Sequence, residues 1–322
     1  IKTGLERNNQ IGIETGGWLA GAEGALKSYE FDNFTLNADT EGEYLRLNDG
    51  RINAGFSVNA GLSGAYDSDV SSSAENSMNF LAGYKLFNRD YLSTLYKTDD
   101  NYPVERRLEK RLNISAGFDF GISERLSSRL AMSMSNVDVS RSYKNPVENI
   151  SQTSVYRNLN EFQLNFTGEL FYISKMINLT GGANFFSRNE ENNIQNKFRI
   201  KPKDYASLQS LDNQRDNSTS KTRLYARGRW TPSRKDSISF DYSVSLLQYD
   251  TPSDLNNDER DEFSTIAGIS YGRKISPLLS AGLSSEIQMT HLVFLKAAKS
   301  AMNNWNRIIQ IGRASCRERV CH

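Results

Sequence analysis

The residues best suited to chemistry in this chain stand at every second position. In "RLYARGRW", Arg223 to Trp230, the side chains of Arg223, Tyr225, Arg227 and Arg229 alternate with Leu224, Ala226 and Gly228. In "EFQLNFTGELFY", Glu161 and Glu169 are set off from Phe162, Leu164, Phe166 and Leu170 in the same way, and Asp119, Asp241 and Glu286 hold the polar parity of other such stretches. A two-residue period places each polar set on one face of a strand and each apolar set on the other. Rows of guanidinium and carboxylate facing a common space have two uses: they set the field of an aqueous path and sort solutes by charge, or they pair and brace a filled interior.

Other chemistry has thinner support. Hydrolysis by a serine or aspartate wants a histidine base, and His291 is the only histidine outside the C-terminal tail, near a strand end with no partner evident in the sequence. The loop "TPSDLNNDERDE" spaces Asp254, Asn256 and Asp258 like a calcium loop, but Glu259 replaces the needed glycine and Thr265 the twelfth-position glutamate. Neither an enzymatic activity nor a cofactor or metal site is expected. The sequons at Asn113, Asn165 and Asn178 fall inside strands and are read as products of the alternation.

Both cysteines, Cys316 and Cys321, lie with His322 in "IGRASCRERVCH", Ile311 to His322. A C-x4-C-H ending lacks a second ligand pair for a metal, and the stretch resembles the translation of a common sequencing adapter. It is set aside from the fold as foreign sequence.

Lys and Arg number 39 against 38 Asp and Glu, so no net charge points to a nucleic-acid partner. Mean hydropathy is −0.59, and no apolar run approaches the roughly twenty residues that a membrane helix requires. Membrane β-strands need only about nine to eleven, with alternate residues polar. The chain opens on Ile1 without features of a signal peptide and reads as the middle of a protein.

The elements that must carry the charged rows are strands. "INAGFSVNAGLSGAY", Ile52 to Tyr66, alternates for its whole length, as do "SMNFLAGYKLF", "LNISAGFDFG" and "ISFDYSVSLLQY". Further strands are expected over Ser128–Tyr143, Ile177–Phe186, Arg223–Trp230, Phe263–Tyr271 and Leu279–Leu295, with a β-bulge between Met134 and Val137 where the apolar parity slips. Near the start, Ile11–Leu19 and Phe31–Leu47 are strand candidates, the second turning at "NDG", Asn48 to Gly50, into the next. "KAAKSAMNNWNRIIQ" is read as a loop or short helix leading into another strand. All six prolines fall in connections, as a sheet ladder demands.

From Gly121 onward short connections ("ISERLS", "SKM", "TPSRKDS", "RKISP") alternate with long ones (Asn145–Asn160, Asn189–Thr222, Thr251–Glu262). Before that, either Asn88–Lys110 is one long connection or it hides an extra crossing near Tyr91–Tyr96. Strands of about fifteen residues reach on the order of 50 Å, whereas those of soluble sandwiches run to about five or six residues. Tyr66, Tyr143, Tyr172, Trp230, Tyr249 and Tyr271 gather near strand ends, where interfacial girdles lie.

On these long alternating hairpins and this asymmetry of turns and loops, the chain resembles bacterial outer-membrane β-barrel proteins over roughly residues 48–295. The resemblance implies an all-β fold, an antiparallel up-and-down transmembrane barrel, incomplete, with about 10–12 strands visible. Residues 1–47 are read as its N-terminal strands, 48–310 as the barrel and 311–322 as the foreign tail. Localisation in the bacterial outer membrane follows, with membrane lipid and a small solute as partners. The role implied is solute passage, as a pore or as the barrel of an uptake receptor. Alternatives are an adhesin or assembly factor working through its long loops, a soluble β-sandwich, and a β-solenoid. Arg223, Tyr225, Arg227, Arg229, Glu161, Glu169, Asp119 and Asp241 are the expected lumen-lining residues.

Overall fold

A computed structural model describes residues 2–10, 13–66, 76–92, 104–143, 156–195, 202–276, 279–311 and 315–318. Fourteen strands follow one another in a single antiparallel sheet, each paired with its neighbour in sequence. They are β1 (Lys2–Gln10), β2 (Ile13–Phe31), β3 (Phe34–Leu47), β4 (Ile52–Tyr66), β5 (Asn76–Leu92), β6 (Val104–Ser123) and β7 (Leu126–Tyr143). The path continues through β8 (Arg157–Ile173), β9 (Ile177–Ile194), β10 (Asn217–Trp230), β11 (Asp236–Asp250), β12 (Arg260–Lys274), β13 (Leu279–Phe294) and β14 (Asn304–Ile311). A short strand, β15 (Ser315–Glu318), pairs with residues Leu279 to Gly282 of β13.

The chain is thus all-β, an up-and-down meander of barrel type, and among the described residues no ladder joins β1 to β14. Its fourteen-strand path exceeds the ten to twelve strands expected. β1 and β14 make up the excess, and Asp32, at a positive φ of 52°, and Asn33 form the turn where a strand was expected to start at Phe31. The "NDG" turn forms as expected, with Gly50 at φ 80°, a left-handed value that suits glycine. β5 pairs directly with β6, so the described residues place no extra crossing between them. "KAAKSAMNNWNRIIQ" forms a 3-10 turn, Ala297–Met302, followed by β14.

Directly opposed residues share a face, so the ladders can be followed as rows. On one face Tyr172, Leu179, Gly228, Phe240 and Ile269 make a row, and Phe166, Phe185, Thr222, Leu246 and Phe263 another. These apolar side chains are the exposed ones: Phe166 is 44%, Leu170 54%, Leu224 53% and Ile269 60% accessible. On the opposite face Glu161, Gln163, Asn165, Thr167 and Glu169 are all half-buried. A soluble protein shows the reverse polarity. The accessible surface, 21489 Å², also exceeds the about 13,500 Å² expected of a compact globule of this mass.

Buried apolar side chains are few: Leu45, Leu47, Val137, Val139, Ile194 and Leu208. All lie at the end of the sheet that carries the long connections. There the helix α1 (Pro202–Asn213), with proline at its first position, sets Leu208 and Tyr205 against Ile194 of β9, and Arg157 of β8 donates from Nε to Asp212 of α1 at 3.0 Å. Sequence patterning assigns this helix to a polar connection.

The bulge expected between Met134 and Val137 is absent. Both ladders of β7 run through this stretch without a shift of register, and the irregularity on β7 lies instead between Gly121 and Ser123 of its partner. Apolar parity slips because the strand leaves the apolar band. Beyond Met134 the outward positions become polar (Asn136, Asp138), while Val137 and Val139 turn to the other face and are buried. Val139→Asp is therefore expected to destabilise the fold by several kcal/mol through an unpaired buried charge, and Asn136→Ala, at an exposed outward position, to change stability by no more than about 0.5 kcal/mol. Denaturant titration in detergent checks both; equal losses would restore the bulge.

Candidate functional site

The polar face is organised in rows that cross the strands. Ser77, Asp119, Arg129, Glu169, Gly182, Tyr225 and Ser243 oppose one another in turn from β5 to β11. Ser77 Oγ donates to Asp119 at 3.3 Å, and Arg129 Nε donates to the other oxygen of that carboxylate at 2.6 Å. The Tyr225 hydroxyl donates to Glu169 Oε1 at 2.5 Å, reaching from β10 to β8 across β9. Gly182 of β9 makes this reach possible, because a Cβ there would lie 2.7 Å from the phenol oxygen and 2.9 Å from the Gly168 carbonyl oxygen.

Arg223 and Arg227, two positions either side of Tyr225, each hold their guanidinium 5.5 Å from the centre of its ring, a cation–π distance. The two arginines have no carboxylate within 4.0 Å among the described residues. Arg227 stands opposite Asp241 in register, but the Asp241 carboxylate lies over Gly268 on β12, where a Cβ would come within 2.5 Å of its oxygen. Arg229 continues the series toward the turn after β10 and borders a cavity there.

A second cluster occupies the loop end of the same face. Arg188 of β9 bonds Glu161 at 2.8 Å and also Glu190, Gln163 donates to Glu161, and Asn217 donates to Glu190. All eight residues singled out from the sequence stand on the polar face. The structure brings Glu169, Tyr225, Arg223 and Arg227 together, but Asp119 and Glu161 are bound by Arg129 and Arg188, which sequence reading did not single out. A cavity of about 380 Å³ on this face, lined in part by Asn59, Lys85, Asn113, Ser133 and Gln163, adds polar wall on β4 to β8.

The remaining candidates resolve differently. His291 is on the apolar face, opposite Phe263, with its ring stacked on Trp305 at 3.8 Å and 9°. Asp258 of the calcium-like loop is taken by Lys299, while Lys296 Nζ donates to the carbonyl oxygens of Ser253 and Asn256, so ammonium groups occupy the places a cation would take. Of the aromatic girdle, Trp230 and Tyr271 are exposed on the apolar face at the turn end. Tyr249 shares the polar parity instead, with Arg260 4.5 Å over its ring. The side chains of Tyr66 and Tyr143 lie outside the described residues.

No protein-family model matches the chain, and no curated protein matches it. Among solved structures, the β domain of the Bordetella autotransporter Brka aligns over 90% of this chain and 100% of its own, at 12% identity and a TM-score of 0.32. The CymD monoaromatic hydrocarbon channel aligns over 99% of this chain and 86% of its own, at 9% identity and a TM-score of 0.29. Neither likeness bears on function at these values.

The Tyr225 tether yields a direct test. Tyr225→Phe should lose about 1.5–3 kcal/mol, the worth of a hydrogen bond to a charged group. Gly182→Ala should lose a comparable amount in the wild type and less in a Tyr225→Ala background, where the phenol no longer competes for the space and only the contact with the Gly168 carbonyl remains. Tryptophan-monitored urea unfolding of the four chains closes the cycle, and additive losses would show that the tyrosine does not lie over the glycine.

Proposed function

We propose that this chain forms the wall of a bacterial outer-membrane β-barrel that passes small solutes, as a pore or as the barrel part of an uptake receptor. The observation that carries the proposal is the inverted polarity of the sheet, with large apolar side chains exposed on one face and the polar row of β8 half-buried on the other. Only an apolar solvent makes that arrangement favourable, since hydrocarbon demands that backbone groups be satisfied between strands and rewards an apolar outer face.

The dimensions agree. From Ile238 to Leu246 the exposed face of β11 is apolar for eight residue steps, about 27 Å along the strand. With the tilt usual in such barrels this covers about 20 Å of an apolar band about 25 Å tall. Trp230 and Tyr271 mark one border of the band. At that border the connections 32–33, 124–125, 174–176 and 231–235 are short and 67–75 is longer, and the opposite end carries the 48–51 turn together with α1 and the 251–259 loop. In outer-membrane barrels short turns face the periplasm and long loops the exterior. The polar face then borders water, and its charged rows meet the solute.

Refolding into phospholipid vesicles tests the lipid reading and bilayer conductance tests passage. Leu224→Arg, at the middle of the exposed face, is expected to lower folding stability in the bilayer by about 2–4 kcal/mol. Trp230 emission should be quenched by lipids brominated on the acyl chain. Folding without vesicles or detergent would overturn the membrane assignment. Insertion without conductance would overturn solute passage and leave a closed barrel.

A further inference from the structure

The turn end of the sheet concentrates positive charge that is only partly balanced among the described residues. A cavity of about 350 Å³ lies between the β10–β11 turn and the β12–β13 connection. Arg229, Arg234, Lys235, Arg273 and Lys274 line it, and Asp236 is its one carboxylate. Asp236 is already engaged: Ser233 Oγ and Tyr271 OH each donate to it at 2.7 Å, and Arg273 Nε stands 3.8 Å away. Among the described residues, Arg229, Arg234, Lys235 and Lys274 have no carboxylate within 4.0 Å. Ser237, Gly272, Ser280 and Gly282 supply a floor without bulk, and these four share the polar parity with Arg229 and Lys274.

The charge does not stop at the cavity. Arg227 and Arg223 continue it along β10, because the nearby acids are turned elsewhere: Glu169 to Tyr225 and Asp241 onto Gly268. From Arg223 to Arg229 this unbalanced run is about 20 Å long. Guanidinium groups present paired donors that match phosphate oxygens, and several cations around one small cavity focus the field there.

We infer that the turn-end cavity is a binding site for small phosphate-class anions, delivered to or from the arginine run of β10. The site names the solute class for the passage proposed above and rests on that reading for its role, while its existence as an anion site stands on the cavity alone. Two sources could present the same oxygens, a soluble phosphate or the headgroup of a phospholipid. The floor opens on the polar face, which favours the soluble one.

The test is calorimetric titration of the full chain, folded in an alkyl maltoside that contributes no phosphate, with inorganic pyrophosphate in chloride buffer. Wild type should bind, and Arg229→Gln/Arg234→Gln should bind about tenfold more weakly or not at all with an unchanged far-ultraviolet circular dichroism spectrum. Arg223→Gln/Arg227→Gln should keep the binding and lose anion preference in bilayer reversal-potential measurements. Absence of pyrophosphate binding by the folded wild type, or binding indifferent to the Arg229/Arg234 pair, overturns the inference. So does binding of phosphatidylglycerol in mixed micelles without binding of free pyrophosphate, which would make this a headgroup site. Conductance without pyrophosphate binding defeats this inference alone, whereas pyrophosphate binding without conductance defeats solute passage alone.

Discussion

Among the described residues each strand from β2 to β13 is held by its two neighbours in sequence, and almost nothing else holds it. The sheet has no second layer among the described residues: α1 touches only the loop end, and the one cluster of buried apolar residues is Ile194 with Leu208. Cohesion therefore comes from main-chain ladders and from cross-strand side-chain pairs. A sheet of this kind must find a solvent for each face separately. The face bearing Phe56, Phe166, Leu224 and Phe240 needs an apolar one, and the face bearing Asp119, Glu169 and the β10 arginines needs water or its own hydrogen bonds.

The two requirements separate along each strand as well as across it. Within the apolar band the large outward side chains are mainly Leu, Phe, Ile, Met and Tyr; toward the loop end they become Lys110, Asp138, Asn160 and Glu191, which oppose one another from β6 to β9. At the same height three inward positions are apolar and buried, Val137, Val139 and Ile194, set among charged register partners that include Arg111, Glu161 and Arg157. Strands there have left the band, and α1 covers Ile194 of β9. A single strand thus obeys two patterning rules in succession, and the exchange at Met134–Val137 is where one gives way to the other.

That exchange explains what the sequence revealed and what it concealed. Alternation exposed the strands while they lay in the band, and the prolines and short turns placed their lower ends. Upper ends were hidden: β9 runs to Ile194 and β10 begins at Asn217, within a stretch that reads as loop because its outward residues are polar. The polar-face membership of all eight candidate residues was legible from parity. Their partners were not, since partners depend on register. A two-residue turn at Glu124–Arg125 read without irregularity would set Asp119 against Leu130, whose parity is apolar. The shift at Gly121/Ser123 brings Arg129 opposite Asp119 instead, and only the demand that opposed faces match could have suggested it. Tyr225 and Glu169 lie 56 residues apart, with α1 between, and no local signal links them.

The small residues of the polar face settle how its large ones lie. Gly83 sits beneath Asn59, Gly117 beneath Asn79, Gly182 beneath Tyr225 and Gly268 beneath Asp241, and in each case the two are direct register partners. A glycine opposite a polar side chain lets that chain fold flat against the wall and bond sideways instead of projecting from it. The same arrangement disposes of the acids around β10. Asp241, bent over Gly268, no longer meets the arginine across from it, and Glu169 is held by a phenol rather than by a guanidinium. Replacing Gly268 with a larger residue would push the Asp241 carboxylate off its seat and back toward Arg227, closing the nearest available ion pair. The positive run along β10 is therefore a consequence of where the glycines fall as much as of where the arginines do.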